Sequence, residues 1–264
     1  MINFRYHIVS LGAVLIALAV GITVGVAFTN TDESGPSGSE SRADAAEQAF
    51  ETAFADASSG IVGTGLTDRR VVVVTTPGAK TAEVDDLTVR IGDAGGTVVG
   101  EVALTTKLLD SANRQFAEQI AEQSASDVPG VQAADDSYTR IGAALARALM
   151  GDGELDERAT TIRSAFEQGG LIDLPSAPSQ SADLALVVIG PTSADSARGE
   201  ILADLTAQLA TSGAGGALVG PSTTSVDGGV LDQVRSIDGS GSFATVDVTD
   251  LAAGRLVSVL ALVR

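Results

Sequence analysis

The chain has 264 residues and carries 34 Asp and Glu against 16 Lys and Arg, a formal net charge of −18, so nucleic acid and anionic lipid headgroups repel it and nucleic-acid partners are excluded. It has no cysteine, and its one histidine is His7, which excludes disulfides, thiolate nucleophiles, Ser-His-Asp triads and His-bearing zinc sites from everything that follows. The length accommodates one substantial core, or one core with a small appendage.

The stretch from Ile8 to Phe28 is uncharged, with Arg5 before it and Asp32 and Glu33 after it. About 20 apolar residues cross the hydrocarbon layer as a helix, whereas a secretory h-region needs only about 7 to 15, so the length predicts a membrane anchor. Gly25-Val26-Ala27 also offers a small-residue exit at which a signal peptidase could cut. Arg5 is the only basic side chain before Arg42, and basic flanks stay in the cytoplasm. Residues 1–7 are therefore expected inside, 8–28 in the membrane as a single span, and the rest outside the cytoplasm. Ala13, Ala17, Gly21 and Gly25 recur every fourth position, a face on which two helix backbones can approach and form a homodimer through the anchor. Small residues are also common in membrane helices whether or not they pair.

Residues 29–65 read as a flexible tether with a short Ala-rich helix. "TNTDESGPSGSESR" has too little apolar surface to fold, and in "ADAAEQAFETAFADA" the residues Ala46, Ala49, Phe50, Ala53, Phe54 and Ala57 share a stripe. Residues 66–264 then alternate strand and helix patterns. "RVVVVTTPGA" predicts a strand buried on both faces, with a helix over 81–94, a strand from Gly96 and a longer helix over 107–125 whose inner side is Leu108, Leu109, Phe116 and Ile120. Helices follow over 138–150 and 155–168. "ADLALVVIGPTS" predicts a strand, 194–210 a helix, "GGALVGPSTTS" a short strand and loop, 229–235 a helix, "FATVDV" the last strand, and 251–263 an apolar helix too short to cross a membrane. The fold class expected is α/β: an N-terminal transmembrane helix followed by a Rossmann-like, mostly parallel, doubly wound sheet.

"FRYHIVSLGAVLIALAVGITVG", "LTDRRVVVVTTPGA" and "FATVDVTDLAAGRLVSVLAL" stand in that order along the chain. In this combination the sequence resembles the mycobacterial copper transport protein B family, whose relatives include corynebacterial SteB-like cell-separation proteins. The resemblance implies an actinobacterial envelope protein, a role in copper efflux or tolerance, and control of cell separation with a membrane-protein partner. It also implies a longer coiled coil between anchor and domain than Thr29 to Gly65 supplies.

The residues themselves point away from a copper cage or a cofactor. Cu(I) seeks thiolate and thioether donors and Cu(II) imidazole, yet the chain offers only His7, Met1 and Met150. Three acidic clusters, Asp85 with Asp86, Asp135 with Asp136, and "DGELDE" from Asp152, could do acid/base work or hold a hard cation; capping of helix starts explains them too. In a doubly wound sheet, ligands sit beyond the carboxyl ends of the strands. The loops there carry Thr75, Thr76, Gly78 and Lys80, then Gly190, Thr192 and Ser193, then Ser222, groups suited to a small anion although none forms a dinucleotide fingerprint or P-loop. The expected function is a non-catalytic scaffold or regulatory partner in the envelope. The alternatives are an indirect component of copper efflux or tolerance and a carboxylate-dependent envelope enzyme.

Overall fold

A computed structural model describes residues 63–191, 196–226, 228–237 and 240–263, together with the helical residues Ala49, Thr52 and Phe54. The chain divides into two compact units, Met1–Asp56 and Ala57–Arg264. The expected anchor, with Ala13, Ala17, Gly21 and Gly25, lies outside the described residues. Among the described residues no helix is long and apolar enough to cross a membrane.

The second unit is an α/β domain. Its elements are β1 (Arg70–Thr75), α1 (Thr81–Asp93), β2 (Thr97–Leu104), α2 (Arg114–Ser124), α3 (Pro129–Gln132), α4 (Ser137–Leu149), α5 (Glu157–Gln168), β3 (Ile172–Ser176), β4 (Leu184–Val188), α6 (Ser196–Ser212), β5 (Gly215–Val219), α7 (Val230–Ser236), β6 (Ala244–Val246) and α8 (Ala252–Leu260). The six strands lie in the order β3-β2-β1-β4-β5-β6, parallel except for β3, which pairs antiparallel with β2. This is the strand order of dinucleotide-binding sheets, with one edge strand reversed.

Four consecutive valines make β1 a central strand because both of its faces are covered. Val72 and Val74 join the core formed with α4 and α6. Val71 and Val73, alternating to the other face, are equally buried, and α1 and α8 pack together on that side with Leu87, Ile91, Leu256 and Val259 inside. Each such side chain removed from water contributes about 1.5 to 3 kcal/mol. The terminal helix packs as core, close enough that a Cβ on Gly254 would fall on the carbonyl of Val248. Gly65, just ahead of β1, lies against the side chain of Val263.

At the amino ends of the strands, Arg70 and Asp183 clamp β1 to the start of β4. The Arg70 Nε and backbone N–H donate to Asp183 Oδ2 at 3.1 and 2.8 Å, Nη2 donates to Oδ1, and the guanidinium also reaches the carbonyls of Gly151 and Gly153.

Three differences from the sequence reading have physical causes. β3 was not expected: "IDLPS" contains Pro175, which removes a donor, and only an edge position tolerates it. The helix expected over 107–125 starts only at Arg114, after a 3₁₀ turn capped by Asp110, and it buries Ala117, Ala121 and Ser124. Phe116 is 40% exposed, with the Lys107 ammonium 4.0 Å above its ring. Asp85 and Asp86 sit inside α1 and cap nothing; Asp86 accepts from Arg90 at 2.7 Å and from Arg255 at 2.5 Å instead. Asp136 and Asp156 do cap helices, α4 and α5.

One core group is out of place chemically. Thr206 of α6 is fully buried among leucines and valines, and its hydroxyl has no hydrogen-bond partner. An orphaned hydroxyl costs about 1 to 3 kcal/mol that an isosteric methyl does not. Thr206→Val is expected to raise stability by about 1 kcal/mol, read as a higher urea midpoint with an unchanged slope.

Candidate functional site

The strand order reverses between β1 and β4, so the crevice at their carboxyl ends is where such a sheet would take a ligand. Here the two loops close on each other. The N–H of Thr76 donates to the Val188 carbonyl at 3.0 Å, and the N–H of Gly190 donates to Thr76 Oγ1 at 3.0 Å. A Cβ on Gly190 would stand 2.1 Å from the carbonyl carbon of Gly78, itself at φ +89, so the two glycine backbones are in direct contact. Thr75 and Thr76 are both buried.

Several other described polar groups of this rim are paired within the chain. Lys80 Nζ donates to Glu83 Oε1 at 2.9 Å, which holds the ammonium above its ordinary pKa, and Glu83 Oε2 accepts from Thr249 Oγ1 at 3.1 Å. Ser222 donates both its N–H and its hydroxyl to the Asp250 carboxylate, at 2.9 and 2.6 Å. Burial pushes Asp250 up, but these bonds and the nearby Lys80 hold it below the usual carboxylate range. Arg255 completes the set, bonding to the carbonyls of Thr249 and Asp250 and to Asp86. An anion reaching this rim meets Glu83, Asp86 and Asp250. The structure thus brings Thr75, Thr76, Gly78, Lys80, Gly190 and Ser222 to one rim, where those with resolved partners stitch four loops together. Thr192 and Ser193 lie outside the described residues.

A second feature had no counterpart in the sequence reading beyond Asp135 and Asp136. A cleft of about 450 Å³ opens between α2, α4 and α6, lined by Glu118, Asp135, Asp136, Glu200 and Asp204, with Arg114 at its wall. Glu118 is engaged by Arg140 and by the Ser137 hydroxyl. Burial raises Asp136 too, but its capping bonds and Arg140 keep it below the normal range. Asp204 has no such help: burial first, then the charges of Asp136 and Glu200, push it up to about 6. No spacing rule announces this group, because Glu118, Asp136 and Asp204 come from three separate helices.

Because the folded-state pKa of Asp204 lies above the unfolded value of about 3.9, its carboxylate is a growing cost as pH rises from about 4 through 6. With solvent screening the partly exposed side chain, Asp204→Asn is expected to gain about 1 kcal/mol at pH 7.5 and to lose most of that gain at pH 4.5, measured by urea unfolding at both values. Among the described residues no three His, Cys, Asp or Glu side chains are gathered as ligands for a metal ion.

The domain is thus of the doubly wound, dinucleotide-order class, with its switch-point crevice filled by its own backbone. The family described as "Copper transport outer membrane protein, MctB" matches residues 1–264, and the chain belongs to that family. It is similar to the proteins named copper transporter MctB of Mycobacterium tuberculosis (strain ATCC 25618 / H37Rv) and of Mycobacterium bovis, at 27% identity over 290 residues in each case. The protein of the same name in Mycobacterium leprae is also 27% identical, over 295 residues. Each alignment covers 99% of this chain and 92% of the relative.

Proposed function

We propose that the chain is a membrane-anchored envelope protein whose α/β domain works by holding a membrane-protein partner and has no catalytic step of its own. The observation that carries this reading is the contact of Gly78 with Gly190, which occupies the crevice where a nucleotide would lie. The pairing of Lys80 with Glu83 and of Ser222 with Asp250 supports it, since the groups that would grip a phosphate are engaged. The anchor is residues 8–28, with the folded domain outside the cytoplasm.

A second reading is favoured by the printed names of the family and of the relatives: a part in copper efflux or tolerance. For this chain that part is indirect. Soft donors are confined to the two methionines, and Met150 is buried against Ala182.

A deletion strain scored for copper sensitivity and for unseparated, chained cells divides the two readings. Chaining without copper sensitivity is the result expected of the scaffold. Copper sensitivity without chaining favours the second reading. A full chain that retains one chelator-resistant Cu(I) in native mass spectrometry overturns the indirect account of copper.

A further inference from the structure

The two edges of the sheet are finished differently. On β3, exposed Asp173 and Pro175 stop another strand from adding. On β6, Ala244–Val246 carries neither a proline nor a charge, and Asp247 just beyond it is already paired with Arg235 at 2.9 Å. The Gly220 N–H donates to the Val246 carbonyl, so the backbone groups of Val246 face β5. Successive residues of a strand alternate, which turns the N–H and C=O of Thr245 toward the side on which no described strand pairs. Beside this edge runs a groove of about 540 Å³ whose lining, including Phe243, Val246, Val257, Leu260 and Ala261, contains no charged side chain. Val257 is 48% exposed there.

We propose that this edge is an interface between two copies of the chain, formed by antiparallel pairing of the two β6 strands about a two-fold axis through Thr245. Each Thr245 gives its N–H to the carbonyl of the other, and the two α8 helices close over the groove and cover Val257. A second copy is the occupant that fits. Two bodies of charge −18 repel unless the facing surfaces are neutral, and this groove is neutral. A two-fold interface must complement itself, and antiparallel pairing brings one residue opposite its own copy with both hydrogen bonds exchanged. The three-residue strand supplies register, and the apolar side chains of α8 and the groove, Val257 among them, supply the contact beside it.

The absence of native cysteine makes the test direct. Thr245→Cys in the full chain, in detergent, places two sulfurs on residues whose Cα atoms sit about 5.5 Å apart, within disulfide reach. Diamide is expected to convert most of it to a covalent dimer at least tenfold faster than Val89→Cys, an equally solitary cysteine at a position 61% exposed on α1. Adding Val257→Lys, at an exposed helical site, is expected to slow that cross-link at least tenfold with no change in melting temperature. In the unmodified chain, amide exchange at Thr245 is expected to slow as protein concentration rises, a readout that needs no variant. Cross-linking no faster than at Val89, indifference to Val257→Lys, concentration-independent exchange, or a cellular adduct with a different protein in place of the dimer would each overturn the proposal.

Discussion

Gly190→Ala is expected to destabilise the α/β domain by about 3 kcal/mol or more, seen as a large drop in the urea midpoint. The added methyl would stand 2.1 Å from the carbonyl carbon of Gly78 and 2.4 Å from the nitrogen of Ala79. Both neighbours are backbone, so no side-chain rotation relieves the overlap. The β1 and β4 loops must separate, which breaks the bond from the Gly190 N–H to Thr76. Gly92→Ala is the matched control. Its Cβ would meet nothing within 4 Å, it lies in α1, and alanine is the better helix former, so it should be neutral or slightly stabilising. Equal tolerance of both substitutions would mean that the crevice is open in solution, and the argument against a nucleotide would go with it.

Asp183→Ala is expected to cost about 3 kcal/mol at neutral pH. It strands the Arg70 guanidinium with only the carbonyls of Gly151 and Gly153 and leaves the Arg70 N–H without its carboxylate partner. The two side chains are 21% and 12% exposed, so solvent screens the pair only in part. The hydrogen bond from Arg70 holds the Asp183 carboxyl below its usual range. A carboxylate whose folded pKa lies below the unfolded value of about 3.9 contributes fully above that value and loses its contribution as pH falls through the folded pKa. Below about pH 4 the gap between parent and variant should therefore narrow. A gap that stays constant down to pH 2.5 would show that packing, and no ion pair, accounts for the loss.

Much of the fold was readable because burial on two sides leaves a plain mark. Val71 to Val74 and "LALVV" from Leu184 are continuous apolar runs, and only strands covered on both faces need them. β3 left no such mark, since an edge strand with a proline and exposed Asp173 has the composition of a loop. The rim loops were legible as a set, because the carboxyl ends of parallel strands converge. Their closure was not: Thr76 and Gly190 are 114 positions apart, and whether two glycines touch or leave a gap depends on a few tenths of an ångström that no pattern encodes. Asp204 illustrates the same limit. Its titration depends on carboxylates brought beside it from the start of α4 and from its own helix, and nothing in its local sequence marks it out.

The contact of Gly65 with Val263 means that the first and last described stretches of the α/β unit touch each other. Such a body can be rewired. A short glycine-rich bridge could fuse the two ends, and a new opening at the exposed turn around Gly153 would yield a permuted order with the same sheet. A reporter attached after Val263 would sit beside Gly65, just ahead of β1.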